Sequence, residues 1–341
     1  MFKIIRSRAP LRLGLGGGGS DVSPYSDLYG GNVLNATINL FARCTLSTDT
    51  ESLTFEALDL GLCVTVTPEC QVLDKELVLH KAVYNRMMVD FNNSEYMPLK
   101  ISTSCDAPFG SGLGSSSTLV VAMIKAYQFL LRLPLGDYEI AHLAFEIERN
   151  ECRFLGGKQD QYSAAFGGVN FIDFKKNGHV IVNPLRINDQ VMAELEGNMI
   201  LFFTGISRSS EGIISDQIQS INSESRLSSM HEIKETAVVM KECLLKGDLK
   251  SYFSIQKNAW DAKKSSSKLV SNSLINAISD DVMGSGAYGL KVSGAGGGGF
   301  MIIYCDPSLR YKVTAILTEK YEGSVFRFGF TIKGAEAWKI K

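Results

Sequence analysis

With 341 residues, 45% of them hydrophobic, the chain has material for two packed domains rather than one small core. Its 35 basic and 36 acidic residues leave a formal charge of -1, which offers no footprint for nucleic acid or an anionic membrane and makes small molecules the expected partners. Seven cysteines (44, 63, 70, 105, 152, 243 and 305) are odd in number and form no C-x-x-C pair, against a disulfide framework or a zinc site. The N-terminus lacks the apolar core of a signal peptide and no run reaches spanning length, so a cytoplasmic protein with reduced thiols is expected.

The opening residues 2–13 read as a strand, with Pro10 holding Ala9 extended before a first glycine cluster, Gly14 to Gly19, followed by Ser20 and Asp21. Gly14, Gly16 and Gly19 fit G-x-G-x-x-G, but Pro24 and Gly30-Gly31 leave no room for the long helix of a dinucleotide site. Gly17, Gly18 and Gly19 instead let the backbone pass close to a substrate, with Asp21 as a hydroxyl acceptor; the plainer reading of Asp21 is an Asx-turn within its own loop. Strands are expected at 32–41, 43–48 and 62–66, then a helix over 74–92 in which His80, without a second ligand nearby, is structural.

A strand at 99–104 leads into Asp106-Ala107-Pro108-Phe109-Gly110-Ser111-Gly112-Leu113-Gly114-Ser115-Ser116-Ser117, and 118–131 follows as an apolar, buried helix. Glycines at the mouth of a helix, whose first amides lack internal partners, make an anion cradle. The alternative is a Gly/Ser-rich connection with an ordinary serine N-cap. A second helix, 138–155, ends at Gly156-Gly157, and Lys158-Gln159-Asp160-Gln161 then forms a turn. A carboxylate there has the setting of a catalytic base, and Glu148 could reach the same space; the plainer readings are a helix N-cap for Asp160 and a solvated helix-face charge for Glu148.

The domain boundary falls between 174 and 197, giving units 1–180 and 181–341, and a buried strand at 198–204 opens the second. It runs into Gly205 to Ser210, where Arg208 could hold a phosphate or carboxylate or sit in an exposed turn. Helices are expected at 224–246 and 249–261, with His231 on the surface and Lys263 to Lys268 as a solvated loop. After a helix at 269–282, a third glycine cluster, including Gly294, Gly296, Gly297 and Gly299, precedes a strand and so reads as a hairpin. A helix at 306–321, opened by Asp306-Pro307, and a strand at 325–332 complete an α+β second half.

No G-x-x-x-x-G-K-[ST] occurs, so phosphoryl transfer, if present, uses another cradle. Three motifs, Ala9-Pro10-Leu11-Arg12 with its glycine tail, Pro108 to Ser117, and Lys291-Val292-Ser293-Gly294-Ala295-Gly296-Gly297-Gly298-Gly299, occur in order and together resemble the GHMP small-molecule kinases over nearly the whole chain. Within them, Arg8 to Arg12 leading to Ser20-Asp21, with Gly156 to Tyr162, is most similar to the D-glycero-D-manno-heptose 7-phosphate kinases; fucokinase-type sugar kinases share much of the pattern. The resemblance implies an α+β fold, with an N-terminal domain like ribosomal protein S5 domain 2, a ferredoxin-like C-terminal domain and the site in the cleft between them. It implies ATP, Mg²⁺ and transfer to the anomeric hydroxyl of heptose 7-phosphate, toward nucleotide-activated heptose for surface polysaccharide. By position, Asp160 matches the catalytic aspartate, Arg12 stands where many relatives have lysine, and Ser116 and Glu148 match the Mg²⁺ ligands. Pro108 to Ser117 would hold ATP phosphates. Gly17 to Asp21, Gln159, Gly296 and Gly297 would face the substrate, with Lys158 or Arg208 on its distal phosphate. A non-catalytic S5-like nucleotide- or RNA-binding module would lack Asp160 and the third loop.

Overall fold

The computed structural model describes residues 3–74, 76–207, 211–220 and 223–340. In chain order the elements are β1 (Ile4–Gly16), α1 (Tyr25–Tyr29), β2 (Gly31–Ser47), β3 (Leu53–Ala57), β4 (Leu62–Val66), α2 (Val78–Phe91), β5 (Lys100–Cys105), α3 (Ser115–Leu131), α4 (Asp137–Glu146), α5 (Gln159–Phe166), β6 (Val169–Phe174) and β7 (Val180–Pro184). There follow α6 (Asp189–Gly197), β8 (Met199–Phe203), α7 (Glu211–Ser220), α8 (Glu224–Lys246), α9 (Leu249–Ser266), α10 (Ser273–Gly284), β9 (Gly289–Val292), β10 (Phe300–Tyr304), α11 (Arg310–Lys320), β11 (Ser324–Phe326) and β12 (Glu336–Lys339).

The strands form two sheets. The larger runs β12-β1-β2-β5-β3-β4, with β6 and β7 added along the first half of β2. Strand β2 is long enough to serve three neighbours: Gly31 to Ala36 pair with β6, Ala42 to Ser47 with β5, and its other edge with β1. The two strands expected at 32–41 and 43–48 are therefore one, because Phe41, Ala42 and Arg43 pair with β1, and Ala42 and Arg43 with β5, instead of turning. The smaller sheet runs β11-β8-β10-β9. Numbered within that half it reads 4-1-3-2 with β-α-β-β-α-β connections, the ferredoxin-like arrangement.

Apolar side chains sort into layers. One core packs α2, α3 and α4 on the large sheet around Leu46, Tyr84, Val121 and Ile140. A second lies between the sheets and α8 and α9, joining Leu11, Leu13 and Leu34 to Met240, Tyr252, Phe300 and Ile302. A third packs α10 and α11 on the small sheet through Ile278, Val282, Val313 and Leu317. This is the expected α+β two-domain fold, with the second core welding its halves together. Residues 336–339 return to the first half, since β12 pairs with β1, and of the strand expected at 325–332 only Val325 and Phe326 lie in a strand, β11. Phe330 instead makes a single bridge to Ile38.

Two helices differ in ways that matter for the site. The helix expected over 138–155 stops as an α-helix at Glu146 and closes with a π-helical turn, Ile147–Glu151. The helix expected at 249–261 continues to Ser266, so Lys263 is helical and buried rather than in a solvated loop. His80 is a core residue bonded to Thr103, as expected, while His231 is half-buried and hydrogen-bonded to the Tyr25 hydroxyl instead of standing free on the surface. Among the described residues no helix is long and apolar enough to cross a membrane.

Candidate active site

Helix α3 begins at Ser115 on the residue after Gly114, and its first internal amide bond is Thr118 N–H to Gly114 C=O at 2.9 Å. The amides of Ser115, Ser116 and Ser117 precede that bond and lie at the helix's positive end, beside a cleft of about 570 Å³. Gly114 has φ 77°, a left-handed conformation, and a Cβ there would stand 3.0 Å from the Asp160 carboxyl carbon. Gly112 has φ 85°, and a Cβ on it would strike Ser293 C=O at 2.5 Å. Both glycines are thus required for backbone to close on its neighbours: Gly114 on the carboxylate, Gly112 on the third glycine loop.

That loop braces the cradle from behind. Ser293 donates its hydroxyl to Gly112 C=O at 2.8 Å, Phe300 N–H bonds Ser111 C=O at 2.8 Å, and Arg12 N–H bonds Leu113 C=O at 3.2 Å. The anion-cradle reading of 108–117 fits this geometry, and the serine N-cap does not, since the cap position is Gly114 with no side-chain cap.

Arg12, only 3% exposed, projects from β1 and grips one oxygen of Asp160: Nε and Nη2 lie 2.7 and 2.6 Å from Oδ1. Its Nη1 donates to Gly112 C=O at 2.7 Å, so one guanidinium ties the carboxylate to the cradle. Asp160 sits in the first turn of α5 rather than in a turn between elements, and its Oδ2 faces Gly114.

Glu148 lies in the π-helical turn, 1% exposed, and its Oε1 accepts the Ser116 hydroxyl at 2.8 Å. Gln161 Nε2 holds Oε2 at 2.6 Å and reaches Ser117 Oγ at 3.0 Å. The solvated-charge reading of Glu148 does not hold. Among the described residues no cluster of three or more His, Cys, Asp or Glu side chains could hold a metal by itself. A hydroxyl and a buried carboxylate side by side at a helix N-terminus nevertheless suit Mg²⁺, which keeps waters and takes substrate phosphates with one or two protein oxygens.

Asp21, 1% exposed, is fixed by the Gly19 amide at 3.1 Å, the Gln159 amide at 3.1 Å and Gln159 Nε2 at 2.9 Å. The Asx-turn bond to Gly19 is present, and yet the carboxylate also lines the cleft. Burial pushes its pKa above the ordinary value; the Gln159 amide opposes this and the Asp160 charge adds to it.

Arg12, Gly18, Gly19, Asp21, Gly110, Gly112, Gly114, Ser115, Ser116, Ser117, Glu148, Gln159, Asp160 and Gly296 all line the one cleft. Others of the expected set stand behind it. Ser20 donates to Gly17 C=O and Asn32 C=O, shaping the first loop, and Gly297 is tied to Val270 and Asn272. Ser111 and Leu113 are buried and Pro108 is exposed outside the lining. Lys158 turns away, its Nζ 5.2 Å above the Phe145 ring. Arg208 lies outside the described residues.

Two cleft cations escaped the sequence reading. Arg149 crosses over Gly156, donating to Gly157 C=O at 3.2 Å, with Nη1 3.8 Å from Glu148. Lys263 enters from α9 and donates to Gly294 C=O at 2.5 Å; burial pulls its pKa down to about 8, Arg12 acting in the same direction and Asp21 against it. Glu148-Arg149 adjacency was a signal for the first. For the second the signal was Trp260, Lys263 and Ser266 at i, i+3 spacing, all buried.

The family model described as GHMP kinases N terminal domain matches residues 78–168. Over 341 residues the chain is 44% identical to the D-glycero-alpha-D-manno-heptose 7-phosphate kinase of Campylobacter jejuni, covering 99% of this chain and 100% of that one. It is 25% identical to the L-fucokinase/L-fucose-1-P guanylyltransferase of Bacteroides fragilis, across 96% of this chain and 37% of the larger protein. A crystal structure of a D-glycero-D-manno-heptose 1-phosphate kinase from Bacteroides thetaiotaomicron superimposes with TM-score 0.84 at 42% identity, covering 99% of both chains. The chain belongs to the GHMP kinases, phosphotransferases that take their phosphate from ATP.

Proposed function

We propose that this enzyme transfers the γ-phosphoryl group of ATP to the anomeric hydroxyl of D-glycero-D-manno-heptose 7-phosphate, yielding the 1,7-bisphosphate. The observation that carries the reading is Asp160, held by Arg12 on one oxygen and pressed against Gly114 of the phosphate cradle with the other. The near-full-length identity to a heptose 7-phosphate kinase supports the choice of sugar. The product would feed nucleotide-activated heptose for surface polysaccharide, in the cytoplasm.

In this mechanism the amides of Ser115 to Ser117 bind the ATP phosphates at the helix end. Ser116 and Glu148 would hold Mg²⁺, whose charge would offset that of the ATP phosphates. The sugar hydroxyl lies in the cleft beside Asp160 and the cradle, Asp160 Oδ2 accepts its proton, and the sugar oxygen bonds the γ phosphorus as the bond to the β-γ bridging oxygen breaks and ADP leaves. Arg12 holds Oδ1 and balances the charge that develops. Asp21, fixed by Gln159 and Gly19, accepts sugar hydroxyls. The 1–180 portion supplies the cradle, base and metal ligands, and 181–341 supplies the bracing third loop.

A panel of ATP with heptose 7-phosphate, heptose, fucose, galactose and mevalonate, read by phosphorus NMR, tests this. The expected new signal is an anomeric phosphate on heptose 7-phosphate; preference for fucose would favour a fucokinase, and no sugar-dependent ATP turnover would defeat the proposal.

A further inference from the structure

Lys263 is a buried ammonium at the edge of the reacting space. Its side chain leaves α9, is 7% exposed as a residue, and still lines the cleft. An ammonium has three donors. One goes to Gly294 C=O at 2.5 Å, and among the described residues no carboxylate forms an ion pair with it. Both nearby carboxylates are engaged elsewhere: Asp160 Oδ1 with Arg12, and Asp21 with the Gly19 and Gln159 donors. A Cβ at Gly18 would lie 4.0 Å from Lys263 Nζ and 3.6 Å from Gln159 Nε2, so the ammonium, the first glycine loop and the Gln159 amide form one wall.

A buried charge with unfilled donors is costly unless an acceptor completes it. Lys291, deeper in the same wall, shows what completion looks like, since its Nζ bonds Gly14 C=O at 2.7 Å and Leu15 C=O at 3.3 Å. Lys263 lacks such a second carbonyl and opens on the cleft instead. Its neighbours are Gly18 and Gln159, the Asp21 charge acts on it, and the Gly294 carbonyl it holds belongs to the third glycine loop.

We propose that Lys263 binds the acceptor sugar, donating charged hydrogen bonds to its oxygen atoms. This rests on the sugar-kinase reading above. The ligand chemistry is an oxygen acceptor, either the sugar's distal phosphate or its hydroxyls.

The test measures KM and kcat for Lys263→Met and Lys263→Gln against heptose 7-phosphate and unphosphorylated heptose, with thermal melts of each variant. The expected result is a KM for the acceptor raised by about tenfold to a hundredfold, as for a lost charged hydrogen bond, with KM for ATP within about twofold. A rise confined to the phosphorylated acceptor identifies the phosphate as the ligand; an equal rise on both identifies the hydroxyls. Unchanged acceptor KM in folded variants overturns the inference, as does a failure of both variants to fold, which would make Lys263 a structural residue. If wild-type enzyme phosphorylates none of the sugars, the functional reading fails and takes this inference with it. An active wild type beside unaffected variants sinks the Lys263 assignment alone.

Discussion

Replacing Arg12 with methionine removes the clamp on Asp160 while leaving a side chain of similar length. In the ion pair the two side chains are 4% and 22% exposed, so the charge left behind on Asp160 is partly, not wholly, buried. Breaking a fully buried pair costs about 3–5 kcal/mol; solvent at Asp160 brings the expected loss to about 3 kcal/mol. Gly112 C=O is not orphaned, because Ser293 Oγ still donates to it at 2.8 Å. In an Asp160→Asn background the unpaired charge is that of Arg12 itself, so Arg12→Met should cost no more than about 1 kcal/mol. The coupling is then at least about 2 kcal/mol, the difference between those two losses. Urea unfolding of wild type, both single variants and the double variant measures it. A coupling under about 0.5 kcal/mol would show that the pair is not the tight unit inferred from its geometry.

Gly114→Ala forces a Cβ to 3.0 Å from the Asp160 carboxyl carbon at φ 77°, so kcat should fall at least about tenfold as the base is displaced; unchanged kcat would contradict the close approach. Ser116→Ala removes the hydroxyl beside Glu148, and the Mg²⁺ titration of activity should shift to higher concentration; an unmoved midpoint removes Ser116 as a ligand. His80, buried against Thr103, has its pKa lowered from 6.5 to about 4 by burial. Below about pH 6.5 the unfolded chain therefore binds a proton that the folded chain refuses, and stability falls toward pH 4 by as much as about 3 kcal/mol. Between about pH 7.5 and pH 5 that amounts to about 2 kcal/mol, and His80→Gln should flatten the slope by this much in urea denaturation; an unaltered slope would refute it.

The glycine loops were legible because each combines a local conformational demand with a neighbouring ordered element. That Ser116 and Glu148 share a space was legible from the resemblance, but not the π-helical turn at 147–151 that brings Glu148 there, because no apolar periodicity marks such a turn. Lys158 shows the reverse: adjacency to Asp160 suggested a shared site, but successive residues at a helix start point in different directions, and its ammonium went to Phe145. Lys263 was hidden by composition, because the run Lys263 to Lys268 is polar throughout while the fold buries Lys263, Ser266 and Ser267. The short strand β12 had no signal of its own, and exists because the edge of β1 offers Ile5 to Arg8 as partners.

The most direct test of the central claim is the turnover of Asp160→Asn with saturating ATP and heptose 7-phosphate. Loss of a general base predicts kcat reduced by about 10²- to 10⁴-fold with KM for ATP little changed, since the cradle amides do not depend on Asp160. Turnover within tenfold of wild type would contradict the assignment of Asp160 as the proton acceptor.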